Sequence, residues 1–382
     1  METTDEDGTH PTEASKAPAR RWAMVAYIAG DNDLSEAGLS DIEEMCQIGT
    51  TPDVYAGVEI DTVGDWEGSV RYEIEPPKWD GRSYRSVIER LPEQDSGSPY
   101  AFYEFLRWAG YRFPAEHRLL TVWGHGSGFL GASGSVASDD NGGSMTIPQL
   151  ARALHRAEPE FGRFAILGFD ACSMAMVEIA HELVGTAQYL VGSQALVPGD
   201  GWRYDWVLYD MGGKGVGALP NPADLAGSIV KQFVDNYSGG PEPATQSAID
   251  LDLIPDVHDA VHVLGAVLTG MPEHRAEILL GRDRAQTFDR FPEFVDVIDL
   301  CDQLCSLGAD DLTGACDDLV AKARAAVVHN AHTGGQVGRC NGLSIWFPRG
   351  PFEYFYSRGD YVSLEGNAAD LGWVRWLDAL HG

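Results

Sequence analysis

Residues 22–29, WAMVAYIA, are apolar at every position and run straight into Gly30-Asp31-Asn32-Asp33. A strand that is apolar on both sides of its pleat has to be covered on both faces. Similar runs recur at 54–60, at 118–123 (RLLTVW) and at 164–169 (FAILGF), with amphipathic stretches between them. Residues 35–48 place Leu39, Ile42, Met45 and Cys46 on one helical face with acids opposite. Residues 99–111 read as a helix, and so do residues 147–157, where Pro148 takes a tolerated first-turn position. This alternation predicts an α/β fold, with a mostly parallel central sheet flanked by helices.

Shorter signals fill in the rest. Residues 70–74 alternate and suit a hairpin arm or an edge strand, and 131–144, rich in Gly, Ser and Asp, reads as a mobile loop. Residues 174–183 read as an apolar helix and 189–192 as a short strand. Beyond these the pattern shifts. Residues 222–237, 254–268, 292–307 and 310–331 read as mostly helical, 246–251 and 342–347 (GLSIWF) as strands, and 373–380 as a final short helix. The chain divides into a disordered polar tail (1–21), a sheet-rich part (22–211) and a helix-rich C-terminal part (212–382) that packs on and completes the sheet. Residues 212–222 are the linker between the two larger parts.

Charge narrows the function. The 382 residues carry 58 acidic and 27 basic side chains, a formal charge of −31. Such a chain repels phosphate backbones and anionic bilayers, which excludes nucleic acid and membrane surfaces as partners. No apolar run approaches the roughly 20 residues of a membrane helix. The hydrophobic fraction of 44% is enough for a core without disulfide or metal staples. Residues 1–21 contain no apolar stretch of the signal-peptide kind, so the expected compartment is the cytoplasm. There the six cysteines (46, 172, 301, 305, 316 and 340) stay reduced. Excess acid with lysine only at positions 16, 78, 214, 231 and 322 also suits a protein kept soluble in high salt.

Two loops carry residues able to do chemistry, and each follows a predicted strand. One holds His125 in Trp-Gly-His-Gly-Ser-Gly, the other Cys172 in Gly-Phe-Asp-Ala-Cys-Ser-Met. Sites in open α/β sheets form outside the carboxyl ends of strands, and the intervening chain is long enough for a crossover that sets the two strands side by side. A thiol is a weak nucleophile until an imidazole takes its proton. With the helix expected to begin at Ser173, its N-terminus would lower the thiol pKa and favour an oxyanion at the Cys172 N–H. Singly, Cys172 also reads as a small core residue and His125 as a turn residue; the pair at two strand ends points to catalysis.

Four blocks in order, Tyr-Ile-Ala-Gly-Asp-Asn-Asp-Leu (27–34), Trp-Gly-His-Gly-Ser-Gly (123–128), Phe-Asp-Ala-Cys-Ser-Met (169–174) and Pro-Gly-Asp-Gly-Trp (198–202), make the chain resemble the clostripain family of cysteine peptidases. That family shares the caspase-like fold with caspases, legumains and gingipains. The resemblance implies His125 as general base and acid, Cys172 as nucleophile, and an oxyanion hole from the N–H groups of Gly126 and Cys172. It implies an endopeptidase cleaving after Arg and less well after Lys, with Asp170 and Asp200 lining the P1 pocket, and a monomer. A buried carboxylate pair suits a guanidinium. Asp170 also reads as a helix N-cap, Asp200 as a turn residue, and Trp202 as a pocket wall or as core. A catalytically idle caspase-like scaffold and a peptide ligase using the same dyad are the alternative readings.

Relatives are commonly processed between the catalytic His and Cys, yet no Lys or Arg lies between Arg118 and Arg152. Activity without that cut is expected. An Arg-directed peptidase inside a cell needs restraint, which suggests an effector of stress or defence signalling, activated by a partner, by a ligand or by an upstream protease that trims the tail at Arg20 or Arg21. Some relatives use calcium. Asp31, Asn32 and Asp33, and separately Asp139 and Asp140, supply hard oxygen donors, but neither segment has EF-hand spacing and solvated loop acids are the favoured reading. No cofactor or metal is expected.

Overall fold

The computed structural model describes residues 19–382 apart from 64–67, 79–80, 82–83, 131–135, 141, 214–217, 289 and 369–370. The first half contains β1 (Arg20–Gly30), α1 (Ser35–Met45), β2 (Val54–Thr62), β3 (Val70–Ile74), β4 (Arg85–Arg90), α2 (Pro99–Arg112) and β5 (Ala115–Trp123). There follow β6 (Val136–Ser138), β7 (Ser144–Met145), α3 (Ile147–Phe161), β8 (Phe164–Asp170), α4 (Val177–Glu182), β9 (Ala187–Gly192) and α5 (Tyr204–Met211). The second half contains α6 (Pro222–Tyr237), β10 (Thr245–Asp250), α7 (Ile254–Thr269), α8 (Arg275–Arg284), β11 (Thr287–Phe288) and β12 (Phe291–Asp296). It ends with α9 (Val297–Cys305), α10 (Asp310–Ala326), β13 (Val327–His332), β14 (Ser344–Trp346), α11 (Pro351–Ser363) and α12 (Gly372–His381).

Nine strands form one sheet in the order β13-β10-β9-β8-β5-β1-β2-β3-β4. The inner five, β9-β8-β5-β1-β2, are parallel, and an antiparallel pair extends each side. β1 explains the expected double burial. Trp22, Met24, Ala26 and Ile28 enter one core with α1, α5 and α6, while Ala23, Val25, Tyr27 and Ala29 enter the other with α2 and α3. Strand order reverses beside β1, with β2 on one side and β5 on the other, and a reversal of this kind opens a crevice at the carboxyl ends.

The structure departs from the sequence reading wherever pairing with distant chain overrides local propensity. The run 292–307 is strand β12 before it is helix α9, and 310–331 is helix only to Ala326, after which β13 takes the sheet edge against β10. The apolar run 342–347 yields β14, which joins β11 and β12 in a separate three-stranded sheet. β3 is a hairpin arm between β2 and β4, so the edge belongs to β4. The loop 131–144 contains the β6–β7 hairpin.

The helix expected from residue 174 starts only at Val177. Ser173 sits in the left-handed region at φ 60°, and Ala175 is held on both sides, its N–H donating to Ser193 O (2.9 Å) and its carbonyl accepting from Ser344 N–H (3.0 Å). The expected tail 1–21 falls outside the described residues up to 18. Arg20 and Arg21 are already in β1: Arg20 bonds the carbonyls of Thr51 and Val54 and Arg21 pairs with Glu116. They are therefore not part of a free tail. The linker 212–222 lies partly outside the described residues; Asn221 caps α6.

Candidate active site

Three adjacent parallel strands build the site. Ile28 of β1 is in register with Trp123 of β5, and Trp123 with Asp170 of β8. Asp33, His125 and Cys172 follow shortly after these positions, on the loops that leave the three strand ends. The loops are in direct backbone contact, since Gly124 N–H donates to Asp170 O at 3.2 Å. A Cβ on Gly126 would lie 2.4 Å from Cys172 O and 2.7 Å from Cys172 N, so only glycine lets the histidine loop ride against the cysteine backbone.

His125 and Cys172 line one cleft of about 210 Å³, together with Trp123, Asp170, Gly199 and Arg290. Each has a hydrogen-bond partner outside the pair. Val197 N–H donates to the Cys172 sulfur at 3.3 Å, and His125 Nε2 lies 2.6 Å from Asp33 Oδ1. A carboxylate can only accept, so Nε2 carries the proton and Nδ1 is the basic nitrogen. Burial pushes the Cys172 thiol above its ordinary value; the Val197 N–H and the Arg290 charge act against this, and Asp170 adds to it. The expected lowering of the thiol by a helix N-terminus is not realised, because no helix begins at Ser173.

The acidic side of the cleft is deeper than expected. Asp170 is 4% exposed, and its Oδ2 accepts from Trp202 N–H (2.9 Å) and Tyr204 OH (3.0 Å). Its Oδ1 is buried without a hydrogen-bond partner. Asp170 therefore caps no helix. Burial raises its pKa to about 7, against the lowering from those two bonds. Below it Asp41 accepts from Trp123 Nε1 at 2.7 Å, and burial followed by the Asp170 charge pushes Asp41 to about 9.

Asp200 is exposed on the turn closed by Gly201 N–H to Pro198 O (2.9 Å), so the two expected pocket acids are not a buried pair. Trp202 is 1% exposed and packs in the core beneath Gly168; only its N–H reaches the site.

Sequence reasoning missed Asp33 as a partner of His125, and it missed Asp41, Tyr204 and Arg290 altogether. The one available signal was that Asp33 closes a strand end, as His125 and Cys172 do. Strand order, which makes the three ends neighbours, is not written in the local pattern.

The clostripain family model, Peptidase C11, matches residues 26–299. Among solved structures, an inactive zymogen C11 protease from Parabacteroides distasonis is similar, with TM-score 0.70 and 20% identity over 94% of this chain and 99% of that one. A secreted C11 cysteine protease from Bacteroides thetaiotaomicron in complex with an irreversible peptide inhibitor has TM-score 0.69 and 20% identity over 94% and 99% of the two chains. Another structure of a secreted C11 cysteine protease from that organism has TM-score 0.68 and 16% identity over 94% and 100%. At these identities the likeness shows the fold. No curated protein matches the chain. Among the described residues, no helix is long and apolar enough to cross a membrane.

Proposed function

The chain belongs to the clostripain family of cysteine peptidases, and from that premise we propose that it is an endopeptidase that cleaves after arginine, and less well after lysine, by a Cys172–His125 dyad. His125 Nδ1 takes the thiol proton, and the thiolate adds to the scissile carbonyl carbon, forming the C–S bond as the carbonyl electron pair moves to oxygen. The N–H groups of Gly126 and Cys172 receive that oxyanion. Collapse expels the amine, which takes the proton from His125, and a water deprotonated by His125 then hydrolyses the thioester.

Asp33 is a positioning residue in this scheme, holding the imidazole by the bond to Nε2. The specificity rests on the buried Asp170 Oδ1, which has no partner in a cleft that also holds the thiol. An unpaired buried acceptor is costly, and a guanidinium N–H satisfies it. Asp200 at the rim adds negative charge. The resting site supports restraint of activity: burial holds the Cys172 thiol above its ordinary value, so peptide binding or an activating partner has to change its surroundings before it ionises.

The test is turnover of a fluorogenic arginine peptide by the wild type and by Cys172→Ala, His125→Ala and Asp170→Asn. The first two are expected to abolish turnover, and the third to raise KM for arginine substrates. Unchanged turnover in either of the first two overturns the dyad.

A further inference from the structure

A second, smaller cavity of about 50 Å³ adjoins the cleft. Leu196 and Arg290 line both, and Ser173, the residue after Cys172, lines the smaller one. Two polar groups there lack partners. Ser173 is 1% exposed, and its Oγ is buried without a hydrogen-bond partner. Its backbone holds φ 60°, a conformation that residues other than glycine seldom adopt, while its N–H donates to Ala195 O at 2.9 Å. Arg290 is exposed and, among the described residues, makes no ion pair and no hydrogen bond; its guanidinium lies 5.6 Å from the centre of the Phe291 ring.

The fold anchors Arg290 at this place. Phe288 and Phe291 are partners across the β11–β12 hairpin, so Arg290 stands at its tip. Both phenylalanines are buried, Phe291 stacks on Phe294 with ring centres 5.2 Å apart, and Asp296 N–H donates to Gln286 O at 2.9 Å at the base of the hairpin. A buried hydroxyl without a partner is unfavourable, and residues in sparsely populated backbone conformations gather at functional sites. The charge is equally conspicuous: the chain carries −31, and the cleft that Arg290 lines also holds Asp170. A carboxylate satisfies both groups at once, accepting from the Ser173 hydroxyl and from the guanidinium. By the measure on which one water needs about 10–15 Å³, the cavity has room for such a small group.

We propose that Ser173 and Arg290 form a subsite for an acidic side chain, Asp or Glu, on the peptide residue next to the arginine at the cleaved bond. The subsite rests on the arginine-directed reading above and deepens it: Asp170 takes the guanidinium, and the smaller cavity takes a neighbouring carboxylate. At long range a chain of −31 repels acidic peptides, so acceptance of an acidic residue has to come from local contacts. A second basic residue is disfavoured beside Arg290, where it meets a like charge. The bond-breaking steps are unaltered; the subsite selects which arginine in a protein is cut.

The experiment measures peptide affinity by fluorescence anisotropy on the full chain carrying Cys172→Ala, so that the readout is binding and not turnover. The labelled arginine peptides carry Glu, Gln or Lys either just before the arginine or just after it. At one of the two positions Glu is expected to bind about 5- to 10-fold tighter than Gln, with Lys weakest. Adding Arg290→Gln is expected to remove the difference between Glu and Gln, and Arg290→Glu to reverse the order of Glu and Lys. Ser173→Gly, which suits the left-handed backbone and deletes the hydroxyl, is expected to lose part of the Glu preference. Equal affinity for Glu and Gln at both positions overturns the proposal, and so does a Glu preference that survives Arg290→Gln. An equal loss of affinity for Glu and Gln peptides in Arg290→Gln also overturns it, because the charge then acts on the cleft in general. Failure of every arginine peptide to bind is a different result: it overturns the arginine-directed reading, and the subsite with it.

Discussion

His125 Nε2 and Asp33 Oδ1 lie 2.6 Å apart, joining the loop after β5 to the loop after β1 where the strand order reverses. The Asp33 side chain is 81% exposed, so the bond adds little to stability. Its effect is on orientation and on which nitrogen is basic.

Asp33→Ala is therefore expected to lower kcat by about 10- to 100-fold with KM for an arginine substrate little changed. Asp33→Asn keeps an oxygen acceptor and is expected to recover part of the loss. Steady-state kinetics on the three proteins check this, and equal kcat in all three excludes a positioning role.

On the proposed specificity, Asp170 is expected to make ligand affinity depend on pH. Burial holds its carboxyl at about 7, above the ordinary carboxylate range, and only the ionised form pairs with a guanidinium. The Ki of a small guanidinium inhibitor is expected to fall about tenfold per pH unit up to pH 7 and to level off above it. The same raised pKa means that the folded state holds this proton more tightly than the unfolded state. The contribution of Asp170 to stability is thus lost as pH rises from about 4 to 7. Inhibitor titrations between pH 5 and 9 check the first effect, and Asp170→Asn is expected to remove the slope.

The floor under Asp170 is tightly packed. A Cβ on Gly168 would lie 2.6 Å from the Trp202 ring, which leaves no room for a methyl group. Gly168→Ala is expected to cost about 1–3 kcal/mol of stability, read by chemical denaturation. It should also raise KM for arginine substrates, since Trp202 N–H is one of the two bonds that hold Asp170.

A formal charge of −31 implies strong self-repulsion. The Debye length falls from about 10 Å at 0.1 M salt to about 3 Å at 1 M. The melting temperature is therefore expected to rise by several degrees between dilute buffer and molar potassium chloride. A flat or falling Tm removes the high-salt reading of the composition.

Local pattern made the central layer legible. Apolar runs at 22–29, 54–60, 118–123 and 164–169 are β1, β2, β5 and β8, because a strand buried on both faces has to be apolar throughout. Their amphipathic partners α1, α2 and α3 were equally readable from one-sided periodicity. The C-terminal half was less so. β12 and β13 lie in stretches whose composition suits a helix, and they are strands because β14 and β10 supply the hydrogen-bonding edge.

The candidate site divides along the same line. From sequence alone came the proposed nucleophile and base, Cys172 and His125, and the proposed pocket acid Asp170, because short motifs at strand ends carry them. Only the tertiary structure decided their surroundings. Ser173 turns into the left-handed region and the 174–176 segment is held by Ser193 and Ser344, so Cys172 has no helix N-terminus beside it and burial sets its pKa. Strand order brings Asp33 to His125. The physical reason is range. Periodicity records what a residue's own turn or pleat requires, while hydrogen-bond partners and desolvation come from distant chain, 169 residues away in the case of Ser344 and Ala175.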